Sequence, residues 1–409
     1  MFEFGRDLRK LFEKARESED LGWLELIGAD LVRTEARREG IDAGRVSCAR
    51  PFDGWMRASA LWREHARRTG DRASLDRAAA AASDAARHTA SPDQTAAAAI
   101  ESGEIHLLRF DLFGGAACLT AALSDIQALT AERAATRSAA ASLHARLSAR
   151  RARLSGETRP LLDAAALLDA ALHGADRLPP SVGDELRLDR AALGLEAGIA
   201  RRDPRLLDQA GRDLRALIET ASPDQRPLTR ARALALAGAG LSALAALAGD
   251  AAAALQGGAL FDAAADQFTA DHSPLDWIAV VLARAEAGVD LAALARAEAL
   301  ADHPGLILGA LVRERRLAAE SALAEAAGDV GTLTELEARV RRRLAADGPV
   351  RPLDWAADQI AMARLALARG RLTGLEPVAV GLMLAEAAET AREQGVPALA
   401  RRAAEFLPA

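Results

Sequence analysis

Apolar positions along this chain come in Ala/Leu-rich runs of helical length, broken by short polar segments that carry Gly, Pro, Ser or Asp. No segment reads as a convincing strand, and β-branched residues are sparse. Reading the breaks as helix starts and stops predicts about 18–20 helices, each about 10–20 residues long, joined by short turns. The expected fold is all-α, built from antiparallel helical hairpins.

The starts are marked by proline. Ser91-Pro92-Asp93-Gln94 and Ser222-Pro223-Asp224-Gln225 are the same tetrapeptide, offering Ser as N-cap, Pro at the first helical position and Gln three residues after the cap. In such a capping box the two side chains satisfy amides that the first turn leaves free. Pro-Leu-Asp-Trp also occurs twice, at 274–277 and 352–355, and uses two of the five tryptophans. Its Asp is expected at the positive end of a helix and its Trp against the neighbouring hairpin, with Val350 and Trp355 as a hydrophobic staple. On that local reading Asp354→Ala costs about 1 kcal/mol. Arg159-Pro160-Leu161, Arg226-Pro227-Leu228, Asp203-Pro204 and His303-Pro304 are read as further starts. Gly-Asp at 70–71, 249–250 and 328–329 marks hairpin turns, where Gly ends one helix and Asp caps the next.

Longer breaks lie near 40–54, 173–183 and 346–352. The middle one, HGADRLPPSVGD, is the expected seam between a first lobe (46–175) and a second (180–409), with 1–45 as N-terminal capping helices.

Composition narrows the class of function. Half the residues are apolar but only 3% are aromatic, and the formal net charge is −6, so nucleic acid or an anionic membrane would need a local basic patch. Lysine occurs only at Lys10 and Lys14, and neither Asn nor Tyr occurs at all. The Arg-for-Lys bias with abundant Ala is read as a GC-rich coding background. Cys48 and Cys118 lie far apart without metal or CxxC spacing, which fits free thiols in a reducing compartment. The charged N-terminus lacks a signal-peptide core, and the longest uncharged run, 233–249, is short for a span that needs about 20 apolar residues. That run is expected to be a buried helix, with no membrane span, in a cytoplasmic protein.

RPLDWAADQIAMARLALARG, from Arg351 to Gly370, resembles a divergent bacterial tetratricopeptide (TPR) unit, with Trp355, Ala356, Gln359, Met362 and Ala363 at its large and small positions. The stretch from Trp62 resembles that unit's turn and second helix through Gly70-Asp71, Leu75 and Ala78. The hairpin after Ser91 supplies Gly103, Gly115, Leu119 and Ala122. These matches cover about a third of the chain. The resemblance implies a right-handed α-solenoid of TPR-like hairpins and transfers no catalytic residue. The carboxylate clamp of chaperone-type TPR grooves uses Asn and Lys, so it cannot be assembled from this composition.

Chemistry-bearing motifs are few. A P-loop needs Gly-Lys-Ser/Thr, and lysine is confined to the first helix; Schiff-base and Ser-x-x-Lys chemistry are disfavoured for the same reason. Seven histidines are scattered with no metal spacing, so neither a metal nor a cofactor is expected. Glu101, Glu104 and His106 form the best acid–histidine group, with the two Glu on one face, and solvated helix charge is the ordinary explanation for them. Between Arg133 and Arg153 lie six arginines and no acid; Arg146, Arg150 and Arg153 share one helical face. Arg339, Arg341, Arg342 and Arg343 form a second basic cluster. Guanidinium forks grip carboxylate or phosphate, so these clusters are weighed as a solvated face first, an acidic protein partner second and nucleic acid third. Phe2, Phe4 and Phe12 give the first helix an aromatic side for capping the first hairpin or docking a partner.

The functional expectation is a non-enzymatic scaffold that binds a protein or peptide, possibly acidic, on its curved surface. Candidate contacts are Arg146, Arg150, Arg153, Arg339, Arg342, Arg343, Phe2, Phe4 and Phe12. The alternatives are a ligand- or peptide-sensing solenoid and an all-α enzyme with a site between helices around Glu101, Glu104 or His106.

Overall fold

A computed structural model describes residues 20–285, 288–347 and 351–406. The fold is all-α and 81% helical, with eighteen α-helices, two short 3-10 turns and no strand among the described residues. A 3-10 turn, Leu21–Leu26, leads into α1 (Ala29–Ala43). Hairpins follow: α2 (Pro51–Thr69) with α3 (Arg72–Arg87), α4 (Pro92–Phe113) with α5 (Ala116–Gln127), and α6 (Ala134–Ser155) with α7 (Thr158–Leu172). After a second 3-10 turn, Ala175–Arg177, come α8 (Pro180–Arg201) with α9 (Pro204–Thr220) and α10 (Pro227–Ala248) with α11 (Ala251–Ala265). Next are α12 (Pro274–Ala285) with α13 (Leu291–Leu300), α14 (Ile307–Ala326) with α15 (Val330–Asp347), and α16 (Pro352–Thr373) with α17 (Val380–Glu393). The short α18 (Pro397–Ala404) ends the described chain.

The two helices of a hairpin start differently. Proline opens the leading helices α2, α4, α8, α10, α12 and α16, where its fixed φ suits the first turn and its missing N–H is no loss. Aspartate caps the trailing helices: Asp71, Asp203, Asp250 and Asp290 each accept an amide of the following turn, as Asp329 does from Thr332. Gly70, Gly249 and Gly328 hold the tight turns in the left-handed region (φ 74°, 69° and 69°), as their Gly-Asp pairs suggest. Ser91 caps α4 through the Gln94 amide (3.2 Å), and the Gln94 side chain accepts from the Ala90 N–H (2.7 Å).

Two expected starts are not helix starts. The second Ser-Pro-Asp-Gln forms a turn, and α10 begins at Pro227 with Arg226 in the cap position. His303-Pro304 likewise lies in a turn before α14. At the first place a second competent start, Arg226-Pro227, follows within a few residues and takes the helix, whereas α14 begins at Ile307 with no side-chain cap. The paired Val350 of the proposed staple lies outside the described residues.

Each leading helix packs on its own trailing helix and on the next leading helix, whereas trailing helices pack mainly on their sequence neighbours. The leading helices therefore form an inner wall and the trailing ones an outer wall, the layout of a helical solenoid. One apolar cluster runs from α6 and α7 into α8 through Leu161, Leu168, Leu186 and Leu193, so the core continues across residues 173–183. Within the α10/α11 hairpin, Gly238 and Gly257 bring the helices together; a Cβ on either would lie 3.0 Å from the other's carbonyl oxygen. α10 is the one helix among the described residues long and apolar enough to cross a membrane, and a third of its most apolar window is buried against neighbours.

The solenoid closes on itself. Leu61, Trp62 and Leu75 of the first hairpin share a core with Leu275, Ile278, Ala297 and Leu306, which places α12 against α2, some two hundred residues earlier in the chain. The Leu21–Leu26 turn straps this junction. Glu25 accepts from Arg226 Nε (2.7 Å) and from the Thr229 amide and hydroxyl (2.9 and 2.6 Å). Arg68, with no exposed surface, donates to the carbonyls of Leu24 and Ile27 (2.8 and 2.6 Å). The remaining helices start a second turn on top of the first: α14 touches α4, and the Gly115 amide donates to the Gln394 carbonyl (2.9 Å). Gly114 makes that approach possible, because a Cβ there would sit 2.2 Å from the same oxygen.

Candidate functional site

Six leading helices, α2 to α12, enclose the interior, and the charges they present alternate from helix to helix. α2 brings Arg63 and Arg67, α4 brings Glu101 and Glu104, and α6 brings Arg146 and Arg150. α8 brings Glu185 and Asp189, α10 brings Arg232, and α12 brings Asp276. An even number of hairpins lets this alternation run round the ring without two like-charged helices meeting.

The contacts form a belt. Arg63 grips Glu101 with two hydrogen bonds (3.0 and 3.1 Å). Arg146 reaches Glu104 (2.9 Å) on one side and Asp189 (3.1 Å) and Glu185 (3.2 Å) on the other. Arg150 joins Asp111 (3.0 Å) to Asp189 (2.7 Å), Arg153 binds Glu196 (2.9 Å), and Arg232 clasps Asp276 (3.0 and 2.6 Å). Between α8 and α10 the link is Arg226 to Asp184 (2.9 Å). Partners of the side-chain hydrogen bonds Arg63–Glu101, Arg146–Glu104, Arg153–Glu196 and Arg232–Asp276 lie 38, 42, 43 and 44 residues apart, about one hairpin.

Three of the interior carboxylates are held in their ionised forms. Burial works against the Asp189 carboxylate, but Arg150 and Arg146 overcome it and bring its pKa down to about 2. Glu185 is likewise held low by Arg146, Arg67 and Arg63 against the cost of burial, and Glu64, gripped by Arg67 and Arg68, lies well below the usual carboxylate range. A folded pKa below the unfolded value means stability that is complete above about pH 4 and lost as pH falls toward 2. For Asp189 the drop from 3.8 to about 2 corresponds to about 2 kcal/mol. The urea midpoint should therefore fall between pH 5 and pH 3, and Asp189→Asn should flatten that fall. An equal slope in both proteins would refute this assignment.

The belt divides the interior. On one side is a cavity of about 570 Å³ whose wall joins apolar side chains, among them Leu107, Leu188, Leu236, Phe268 and Val280, to the charges of the belt. On the other is a smaller, more polar chamber of about 250 Å³, closed by the Leu21–Glu25 strap and containing Ser142. The Ser142 hydroxyl is buried without a hydrogen-bond partner. Arg63, Arg67, Glu104, Arg146, Glu185 and Arg232 belong to both walls. The larger cavity is lined by six arginines and six carboxylates, so its charge is balanced.

Arg146, Arg150 and Arg153, ranked first as a solvated face, instead point into this interior, where helices α4 and α8 already supply their anions. Of the second cluster, Arg339 pairs with Glu320 and Arg343 with Asp358 (2.6 Å). Arg342 is exposed and has no ion pair among the described residues. Phe2, Phe4 and Phe12 lie outside the described residues. Glu101 and Glu104 are not solvated helix charges: Glu101 is buried and also accepts from the Ser59 hydroxyl (2.9 Å). His106 is half-buried toward Arg109 and Asp125, and burial lowers its pKa. The three side chains therefore do not converge on a reacting centre. No group of three or more metal-ligating side chains occurs among the described residues.

The sequence reading missed Arg63, Arg67, Glu185, Asp189 and Arg232. A signal was present: Arg63/Arg67, Arg146/Arg150 and Glu185/Asp189 are like charges at i, i+4 spacing. Such pairs repel within a helix, so they need opposite charges from neighbouring helices. No protein-family model matches the chain, and no curated protein matches its sequence.

Proposed function

We propose that this chain is a non-enzymatic, TPR-like helical-repeat protein that holds a small molecule inside its superhelix. The observation that carries this reading is the interior cavity of about 570 Å³ walled by leading helices of successive hairpins. Its size lies within the range of about 300–1,000 Å³ that small-molecule sites span. Ring closure is the reason to prefer this over a protein bound on the concave surface, since the return of α12 to α2 narrows the inner surface to a cavity of small-molecule size. The inner-then-outer helix order matches the tetratricopeptide layout. Leading helices α2 to α12 begin at 51, 92, 134, 180, 227 and 274, a longer period than the family's 34 or so residues.

The belt also bears on the ligand. Every interior arginine is engaged by a carboxylate, so a strongly charged guest would have to break buried pairs. A net-neutral molecule with an apolar body and a polar end fits the Leu-rich wall and the belt beside it. Ala279 of α12 projects into the cavity. The uncharged fluorophore N-phenyl-1-naphthylamine should bind with saturating enhancement, and Ala279→Trp should abolish this while leaving the fold intact by circular dichroism. No saturable binding, or binding undiminished in Ala279→Trp, would remove the support for this function.

A further inference from the structure

A second cavity, of about 310 Å³, lies away from the belt between α9 and α10. Its wall is leucine and isoleucine from four helices, including Leu195, Leu214, Ile218, Leu244 and Leu260. The space exists because small residues stand where a repeat core would place larger ones: Gly211 and Ala237 line it. A Cβ on Gly211 would meet nothing within 4 Å, so that position looks into open space. An unfilled apolar cavity is unfavourable, and a hydrocarbon guest relieves that cost.

One polar side chain lines this pouch, Arg215. The side chain is exposed, and no carboxylate in the described structure engages it. Of the carboxylates on α9, Asp208 is committed to Arg212 and Asp213 to Arg190 and Gln209, while the exposed Glu219, four residues on, makes no ion pair with Arg215. Arg215 thus differs from the belt arginines, each of which has its anion. A lone guanidinium fork at the rim of an apolar pouch matches a single carboxylate, with two parallel hydrogen bonds. With no second free cation in the wall, the match is to a monoanion rather than to a multiply charged head.

We propose that this pouch is a binding site for an apolar-chain monocarboxylate, with the chain among the leucines and the carboxylate on Arg215. The test is isothermal titration calorimetry with decanoate and with 1-decanol. Decanoate should bind the wild type at one site; Arg215→Gln should weaken it tenfold or more and leave decanol unchanged. Gly211→Leu, at a position where a Cβ meets nothing within 4 Å, should abolish decanoate binding, whereas Ala279→Trp in the central cavity, which itself admits a neutral alcohol, should leave decanoate binding unchanged. No binding of decanoate to the wild type, full decanoate binding in Gly211→Leu, an equal loss of decanoate and decanol in Arg215→Gln, or loss of decanoate binding in Ala279→Trp would each overturn the proposal. The Ala279→Trp arm separates this site from the central cavity, so either can fail alone.

Discussion

Arg146→Met should lower the free energy of unfolding by about 3–5 kcal/mol, the cost of leaving buried charge without its partner. Arg146 is the most connected residue of the belt. It holds Glu104 (2.9 Å), Glu185 (3.2 Å) and Asp189 (3.1 Å), and so ties α6 to both neighbouring leading helices. Of these three, Asp189 keeps Arg150 at 2.7 Å and Glu104 keeps only Arg63 at 3.9 Å. Arg146→Lys keeps the charge but loses the planar fork that spans three carboxylates, so an intermediate loss is expected. Urea denaturation followed by circular dichroism reads both variants. A loss below about 1 kcal/mol for Arg146→Met would put the belt in the class of exposed salt bridges, and its role in tying α4, α6 and α8 together would be refuted.

Asp354→Ala should cost about 3 kcal/mol, well above the 1 kcal/mol or so of a helix-start residue. Asp354 is only 2% exposed. It accepts the Gly305 amide (3.2 Å) and pairs with Arg313 (3.0 Å) of the preceding leading helix. The other Pro-Leu-Asp-Trp makes the equivalent contact: Asp276 takes Arg232 of α10, together with the Ser273 hydroxyl (2.6 Å). The motif is therefore a fastening between successive hairpins as well as a helix start. Asp276 and Arg232 are more exposed than Asp354, so Asp276→Ala should cost less. Equal and small losses from both would return the motif to its local role.

Much of the fold was legible because its signals are local. Pro92 and Ser91 set the start of α4, and Gly70-Asp71 ends α2 and caps α3, through contacts spanning only a few residues. The misread second Ser-Pro-Asp-Gln shows the limit of such signals. Two competent starts lie four residues apart, and tertiary contacts of Arg226 and Thr229 with Glu25 favour the later one. The candidate site was legible only in part. Arg146, Arg150 and Arg153 stood out as a cationic face, but their anions lie on α4 and α8, about one hairpin away, where sequence spacing alone does not assign partners.

The sequence by itself determined an all-α chain of hairpins, most of their turns, and the like-charged pairs on individual helices. Each of these depends on caps, φ restrictions and periodicity within a few turns of backbone. Only the tertiary structure decided that six hairpins complete a circle, that Arg-bearing and acid-bearing helices alternate around it, and that a cavity lies between them. Those outcomes follow from the small rotation between successive hairpins, which side-chain packing sets. A change of one hairpin per turn would bring like charges together and leave the same local signals unaltered.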